Sequence, residues 1–338
     1  MQRIALVGFG TVGQGLCEIL QAKRGALRAR YGYEFAVVAA TDLQRGTAFD
    51  PEGLEIDALL AAARDGQPFS QGQRDWDAPT MIRECNADVV CELAFTDLQT
   101  GEPAIGHCRA AFDTDKHVVT SNKGPAALAY REMRALAERQ GVQFLIEGTV
   151  MSGTPMLNLA QGPLAGCTIQ AARGILNGTT NYILTQMELG MSYEDALAKA
   201  QELGYAEADP TGDVEGHDAR AKVTIIANVL MGAPVAIQDV DCEGITNITP
   251  AEIEKARAEK ARWKLIGAVE RTEGGVNAWV HPEMVPLAHP LAGIMGATNA
   301  ATFATDLLGD VTIVGPGAGR QETGFSILTD LLRIHRGA

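Results

Sequence analysis

The stretch Arg3-Ile4-Ala5-Leu6-Val7-Gly8-Phe9-Gly10-Thr11-Val12-Gly13 decides the fold of this chain. An apolar run up to Val7 gives way to closely spaced glycines, after which Val12, Leu16, Ile19 and Leu20 recur at helical spacing. Strand, glycine turn and helix thus follow in the order that a dinucleotide phosphate site requires. Gly8 permits the tight turn, Gly10 lets the backbone approach a pyrophosphate, and Gly13 lets helix and strand pack closely. Thr11 and Val12 open the helix, whose N-terminus faces the anion. A G-x-G-x-x-G run alone is weak evidence; its position between a strand and a helix at the start of the chain gives it weight.

Phe35–Thr41 reads as the second strand, ending at Asp42, where a carboxylate can hold an adenosine ribose. Asp42 lies 29 residues beyond Gly13 because Arg24–Gly32 lengthens the first helix or its loop. Arg45 could instead meet a 2′-phosphate, so Asp42 and Arg45 argue for NAD and NADP respectively. Further strands are expected at Ala87–Leu93, His117–Thr120 and Val142–Glu147. Helices are expected between them at Ile56–Ala63, Ala104–Ala111 and Tyr130–Gln140. This alternation implies an α/β chain with an N-terminal Rossmann-type doubly wound parallel sheet. Two loops fall where such sheets bind ligands: Ala94-Phe95-Thr96, and Thr120-Ser121-Asn122-Lys123-Gly124-Pro125. Lys123 stands in a tight polar turn and is either a solvated charge or a group aimed at ligand.

Four segments of the second half carry chemistry. Glu147–Pro155 is a small-residue turn rich in carbonyls, a cation site or a hinge. Ile175–Leu184 joins a strand end to a helix start that Thr179 or Thr180 could cap. Its Asn and Thr side chains could also bond a carboxylate or hydroxyl. Ala200–Lys222 places Glu207, Asp209, Asp213, Glu215 and Asp218 ahead of a single Lys222. Carboxylates this close repel one another unless a cation sits among them, which suggests a site for an amino group, a metal ion or the lysine itself. Pro210 and the glycines make Asp209–Gly216 a turn-rich loop. Asp218 and Lys222 then lie one turn apart on a helix, acid before base. Finally, Val311–Val314 leads into Gly315-Pro316-Gly317-Ala318-Gly319 and Thr323, a second glycine-rich strand-to-helix turn, either an anion site or tight packing.

Composition narrows the class. A chain of 338 residues suggests two domains. Its apolar fraction of 46% and charged fraction of 21% suit an ordinary soluble enzyme. A formal net charge of -14 disfavours nucleic acid and anionic membranes as partners and favours a small zwitterionic or cationic ligand. The six scattered cysteines form no C-x-x-C pair and read as buried free thiols in a reducing cytoplasm. Met1 leads directly into the first strand, with no signal sequence and no apolar run long enough to span a membrane. The six dispersed histidines form no zinc pattern.

The acidic run, G-Y-A-x-x-D-P-x-x-D-V-x-G-x-D-x-x-x-K, resembles the signature of the homoserine dehydrogenase family. T-S-N-K-G-P resembles the corresponding loop of that family, and the likeness runs from Gly8 to Asp330-Leu331-Leu332. The chain departs from the family pattern at Gly148 and Met151, where Ala and Gly are expected. The resemblance implies a short enzyme without a kinase or C-terminal regulatory domain, acting as a homodimer. It implies a nucleotide-binding domain over 1–133 completed by about 311–338. A dimerisation region over 134–160 and 275–310 and an α+β substrate domain over 161–274 complete the chain. It places the Asn177, Gly178, Thr179 loop and Tyr205 against substrate, and Gly8, Gly10, Thr11, Val12, Gly13, Asp42, Arg45, Thr96, Ser121, Lys123, Gly317, Gly319 and Thr323 against the nucleotide. It also implies a sodium ion on Glu147, Val150, Ser152 and Thr154, and it tilts Arg45 toward NADP.

Interconverting an aldehyde and an alcohol with a nicotinamide moves a hydride, while the oxygen gains or loses a proton. A lysine whose pKa is lowered by burial and a second cation suits that proton step. Lys123 and Lys222 are the candidates, with Asp218 orienting Lys222 and with Glu207 and Asp213 binding the substrate ammonium. The expected reaction is the interconversion of L-homoserine and L-aspartate 4-semialdehyde. The rivals are a same-fold dehydrogenase of another amino or hydroxy acid and a catalytically silent nucleotide-binding regulator.

Overall fold

The computed structural model describes residues 1–337 and divides into two compact units, residues 1–153 with those from Gly319 onward, and Thr154–Ala318. Its strands are β1 (Gln2–Val7), β2 (Phe35–Asp42), β3 (Gly46–Phe49), β4 (Gln73–Arg74), β5 (Val89–Glu92), β6 (His117–Thr120) and β7 (Phe144–Leu145) in the first unit. The second unit holds β8 (Ile169–Ile175), β9 (Asp241–Cys242), β10 (Ala261–Thr272), β11 (Gly275–Pro286), β12 (Thr298–Thr305) and β13 (Gly309–Pro316).

The first sheet has the order β4-β3-β2-β1-β5-β6-β7. From β2 to β7 all pairings are parallel, with Gln2 opposite Phe35 and Ile4 opposite Val89. Alternate residues of β1 serve opposite faces. Ile4 and Leu6 join a core with Leu16, Leu20 and Ile327, while Ala5 and Val7 join one with Ile105, Cys108 and Met133. Burial on both faces is why β1 and β5 read as unbroken apolar runs. The sheet is doubly wound, and the chain reverses its building direction between β1 and β5, where such sheets open a ligand crevice.

The Arg24–Gly32 segment extends the first helix, which runs Thr11–Tyr31 and stops at Gly32 in the left-handed conformation. Helix Arg320–Arg336 crosses it at two glycines. A Cβ on Gly15 would lie 2.0 Å from the Arg320 carbonyl oxygen, and one on Gly324 2.6 Å from Leu16 N. This contact draws the C-terminal helix into the nucleotide unit. β13 stays with the second sheet because it pairs along its length with β12. The divide between the two units falls at 153/154 and 318/319.

Two local expectations differ from the structure. The expected strand Val142–Glu147 shortens to Phe144–Leu145, because Glu147–Thr149 turns into a 3-10 helix. The antiparallel pairing of β2, β3 and β4 has no counterpart in the sequence reading, since strands of four and two residues show no usable alternation.

The second sheet has the order β13-β12-β8-β10-β11-β9 and is antiparallel from β13 to β11. Helix His217–Leu230 packs on β10 at Gly267, where a Cβ would meet Val223 and Leu176 side chains at 2.8 Å. Lys264, 1% exposed on β10, donates to Asn181 Oδ1 at 2.9 Å and to the Ile294 carbonyl. Asn181 Nδ2 in turn bonds the carbonyls of Ile294, Gly296 and Thr298. These bonds tie helix Gly178–Glu188 to the connection that enters β12.

Burial lowers the Lys264 pKa from 10.5 to about 8, with the Glu188 charge opposing and the Arg262 charge assisting. Between those two values the unfolded chain holds a proton that the folded chain has released, so this residue makes stability rise with pH across that window. We predict that the difference in melting temperature between the wild type and Lys264→Met shifts in favour of the wild type from pH 8 to 10.5. Parallel curves for the two proteins over that range would refute it.

Candidate active site

The nucleotide end of the first unit is built by the turn after β1. Gly8 has φ +92°, and a Cβ there would lie 2.5 Å from the Leu93 carbonyl oxygen at the end of β5. A Cβ on Gly13 would sit 2.8 Å from the Gly8 carbonyl oxygen, so that glycine sets the approach of helix to strand. Gly10 differs, because beyond its own chain neighbours nothing lies within 4 Å of where its Cβ would be. It caps a helix with no acidic residue in its first turn, an arrangement that leaves backbone N–H groups for an anion. Thr11 is exposed beside it and Val12 half-buried. The turn therefore fits the pyrophosphate of a dinucleotide.

Asp42 ends β2 with its carboxylate turned to this loop. Oδ2 accepts from Phe9 N at 3.2 Å, and Oδ1 accepts from Gln44 N at 3.0 Å and from Arg45 Nη1 at 2.7 Å. Arg45 is folded onto Asp42, both largely buried. The two residues that argued for different cofactors are an ion pair.

The loops after β5 and β6 carry Thr96, which is exposed, and Ser121, which is half-buried. Lys123 is not in a turn, as the sequence suggested, but is the first residue of helix Lys123–Leu128, capped by Asn122 Oδ1 accepting from Gly124 N at 2.9 Å. An Asn followed by Lys-Gly-Pro reads as a turn because six residues show no helical period.

In the second unit the acidic run and the Asn-Gly-Thr loop meet. Lys222, 8% exposed on helix His217–Leu230, donates to Asp218 Oδ2 at 2.6 Å and to the Leu176 carbonyl at 2.7 Å. Asn177 Nδ2 donates to Asp218 Oδ2 at 3.0 Å and to Asp213 Oδ1 at 2.7 Å. Burial raises the Asp213 pKa; the Asn177 hydrogen bond opposes this and the Asp218 charge adds to it. Thr179 Oγ1 donates to the Tyr205 carbonyl at 2.6 Å, and the half-exposed Tyr205 ring leans on Tyr182 at 5.0 Å. Gly178 begins its helix so close to Ala297 that a Cβ would lie 2.6 Å from the Ala297 carbonyl oxygen.

Two expectations change here. Thr179 and Thr180 do not cap the helix; Asn177 does, accepting from Thr180 N at 2.9 Å. The stretch Asp209–Gly216 contains a helical turn, Thr211–Val214, which delivers Asp213 to the cluster. Glu207 is exposed and shares no hydrogen bond with Asp213, Asp218 or Lys222. The Leu176 carbonyl, which fixes Lys222, was missed, and no side-chain pattern could have signalled it.

Among the expected cation ligands, Glu147 is buried in its 3-10 turn, Val150 is buried and Ser152 Oγ donates to the Gly148 carbonyl at 3.2 Å. Thr154 belongs to the second unit, where its hydroxyl donates to the Pro316 carbonyl at 3.1 Å. In the Gly315–Gly319 turn, Gly317 lies against Asn299, whose carboxamide would meet a Cβ at 2.2 Å. Gly319 caps helix Arg320–Arg336, in whose first turn Thr323 is buried.

Comparison with known proteins identifies the family. The homoserine dehydrogenase family matches residues 155–332, and the homoserine dehydrogenase NAD-binding domain matches residues 8–147. The chain belongs to the homoserine dehydrogenase family. It is 46% identical to the NAD(+)-dependent homoserine dehydrogenase of Pseudomonas canavaninivorans over 99% of this chain and 97% of that protein. It is 44% identical to the homoserine dehydrogenase of Methanocaldococcus jannaschii over 98% of each. The crystal structure of a putative homoserine dehydrogenase from Archaeoglobus fulgidus superimposes with a TM-score of 0.90 at 41% identity, over 99% of both chains. No helix among the described residues is long and apolar enough to cross a membrane. All six cysteines are free; four are buried, while Cys167 and Cys242 are half-buried.

The glycine geometry separates two roles. Gly8→Ala must strain a positive φ and strike the β5 backbone, so we predict a loss of about 2 kcal/mol or more in stability. Gly10→Ala should melt with the wild type yet bind the nucleotide at least about tenfold more weakly, since its methyl group occupies only the ligand's space. Calorimetric titration with nucleotide checks this, and wild-type affinity in Gly10→Ala would refute it.

Proposed function

We propose that this homoserine dehydrogenase interconverts L-homoserine and L-aspartate 4-semialdehyde, with NAD as its preferred nucleotide. The observation that carries the reading is the buried Lys222 ammonium, fixed by Asp218 and the Leu176 carbonyl beside a second carboxylate, Asp213. An ammonium has three donors. Two are committed to the protein, and the third is available to the substrate oxygen. In the oxidation Lys222, as the free amine, takes the hydroxyl proton; in the reduction the ammonium returns it to the aldehyde oxygen. When bound, the nicotinamide accepts the hydride from the alcohol carbon or returns it. Asp218 orients the lysine, and Asp213 binds the substrate ammonium. The Asn177-Gly178-Thr179 loop and Tyr205 enclose the amino acid. Lys123 is assigned to the chemistry as the second lysine. Because the Asp213 carboxyl titrates above the usual range, homoserine binding weakens at a higher pH than an ordinary aspartate would give.

Asp42 supports NAD. Its carboxylate is held toward the glycine turn, where it can accept from ribose hydroxyls and repels a 2′-phosphate, and Arg45 is already paired with it. The relative from Pseudomonas canavaninivorans is named as NAD(+)-dependent. A hyperthermophilic archaeal homoserine dehydrogenase, 28% identical with a TM-score of 0.85 over 100% of this chain and 98% of that chain, was solved in complex with NADPH, so the fold admits either nucleotide.

Initial rates of homoserine oxidation with each nucleotide test this reading. We expect kcat/KM for NAD to exceed that for NADP by about tenfold or more, with the ratio reversed or abolished in Asp42→Ser. Lys222→Ala should lose about 10²- to 10⁴-fold in kcat. Turnover by Lys222→Ala at the wild-type rate would remove the lysine from the chemistry.

The reading extends to a homodimer and to a sodium ion on Glu147, Val150, Ser152 and Thr154. Leu307 and Leu308 in the β12–β13 hairpin and Val314 on the edge strand β13 expose 49% to 69% of their surface, apolar residues suited to contact with a second copy. Sedimentation equilibrium should give twice the 35.8 kDa chain mass, and melting in sodium chloride should exceed melting in choline chloride at equal ionic strength. A monomer, or identical melting in the two salts, would refute the corresponding assignment.

A further inference from the structure

Glu92 ends β5 with no exposed surface, and the reaction described above makes no use of it. Its Oε1 lies 3.2 Å from Nδ1 of His107, which is 5% exposed on helix Ala104–Phe112, and accepts from Ala94 N at 3.4 Å. Thr120, at the end of β6 and fully buried, donates from Oγ1 to the Glu92 carbonyl at 2.7 Å and lies 3.4 Å from Oε2. The same hydroxyl accepts from Asn122 N at 2.9 Å. Asn122, 2% exposed, donates to the carbonyls of Ala94 at 3.2 Å and Phe95 at 2.9 Å, while its Oδ1 caps the helix that begins at Lys123.

These bonds have a direction. They start at Glu92, whose carboxylate lies beside an imidazole and accepts from Ala94 N while its carbonyl accepts from the Thr120 hydroxyl, and they end on the backbone of both loops at the ligand end of the parallel sheet. A buried carboxylate is costly unless it is paired and hydrogen-bonded. A pair serving stability alone would have no need to reach the loop backbones. We infer that Glu92, His107 and Thr120 are positioning residues for hydride transfer, locking the Ala94–Thr96 and Ser121–Gly124 loops in register and thereby setting where Lys123 stands. The inference rests on the assignment of Lys123 to the chemistry. None of the three touches substrate in this account. They act on reaction geometry, to which rates are steeply sensitive.

Thr120→Val deletes the hydroxyl and keeps the shape, and Thr120→Ser restores it. We expect Thr120→Val to lower kcat for homoserine oxidation about tenfold or more, with most of kcat recovered in Thr120→Ser. Val118→Ala, a buried apolar position on the same strand, is the control for lost stability; its kcat well below the melting temperature should remain at the wild-type level. Should Thr120→Val fail to fold, Glu92→Gln is read in its place, since it keeps shape and one acceptor while removing the charge. A kcat that merely tracks the Val118→Ala control, or no recovery in Thr120→Ser, overturns the inference. Lys123→Ala separates the premise from the inference. If Lys123→Ala is inactive while Thr120→Val matches the control, the positioning network is wrong and the lysine assignment stands. If Lys123→Ala turns over normally, the premise falls and the inference with it.

Discussion

One ammonium group organises the substrate half of this enzyme. Asp213 and Asp218 share the Nδ2 of Asn177 and so are held close together in a partly buried place. The Asp218 charge adds to burial in raising the proton affinity of Asp213. Lys222 counters this from one helical turn beyond Asp218, and its bond to the Leu176 carbonyl anchors helix His217–Leu230 to the end of β8. The ion pair is thus also the joint between two elements that the chain contributes from positions 46 residues apart. Removing the charge would leave an unpaired acid pair and a loose helix together, which is why a buried pair is costly to break even when its net stabilisation is small.

Asn177 shows why the residue type at that joint is so constrained. Its Oδ1 satisfies the orphan N–H of Thr180 at the helix start, while its Nδ2 spans the two carboxylates. Aspartate could cap the helix but would add a third negative charge. Threonine could cap it but has no second polar arm. An amide alone performs both tasks.

Features that depend on residues adjacent in sequence were legible before the structure was known. Gly8 and Gly13 act on neighbours within a few positions or at a strand end that the pattern already implied, and the one-turn spacing of Asp218 and Lys222 is a property of any helix. Features that depend on distant partners were not legible. The choice of Asn177 over two threonines as the cap turns on acids 36 and 41 residues away, and the bonds from Glu92 to His107 and Thr120 span 15 and 28 positions. Nor could charge alone separate Glu207 from Asp213, since it is the helical turn Thr211–Val214 that aims one of them inward. Short helices and two-residue strands hide for a related reason: they hold too few residues to display a period.

The two departures from the family pattern are accommodated within the chain itself. At Gly148 a Cβ would fall 2.8 Å from the Ser121 Cβ, so glycine is the residue that leaves room for serine in the loop before Lys123. At Met151, where the resemblance leads one to expect glycine, the backbone nevertheless keeps a left-handed φ of +53°. A non-glycine residue in that conformation costs about 1 kcal/mol. The Met151 side chain is fully buried, and burial of a methionine contributes about 1.5–3 kcal/mol, enough to offset the strain. Neither departure alters a side chain in the Lys222, Asp218, Asn177 and Asp213 cluster, so neither favours a different substrate.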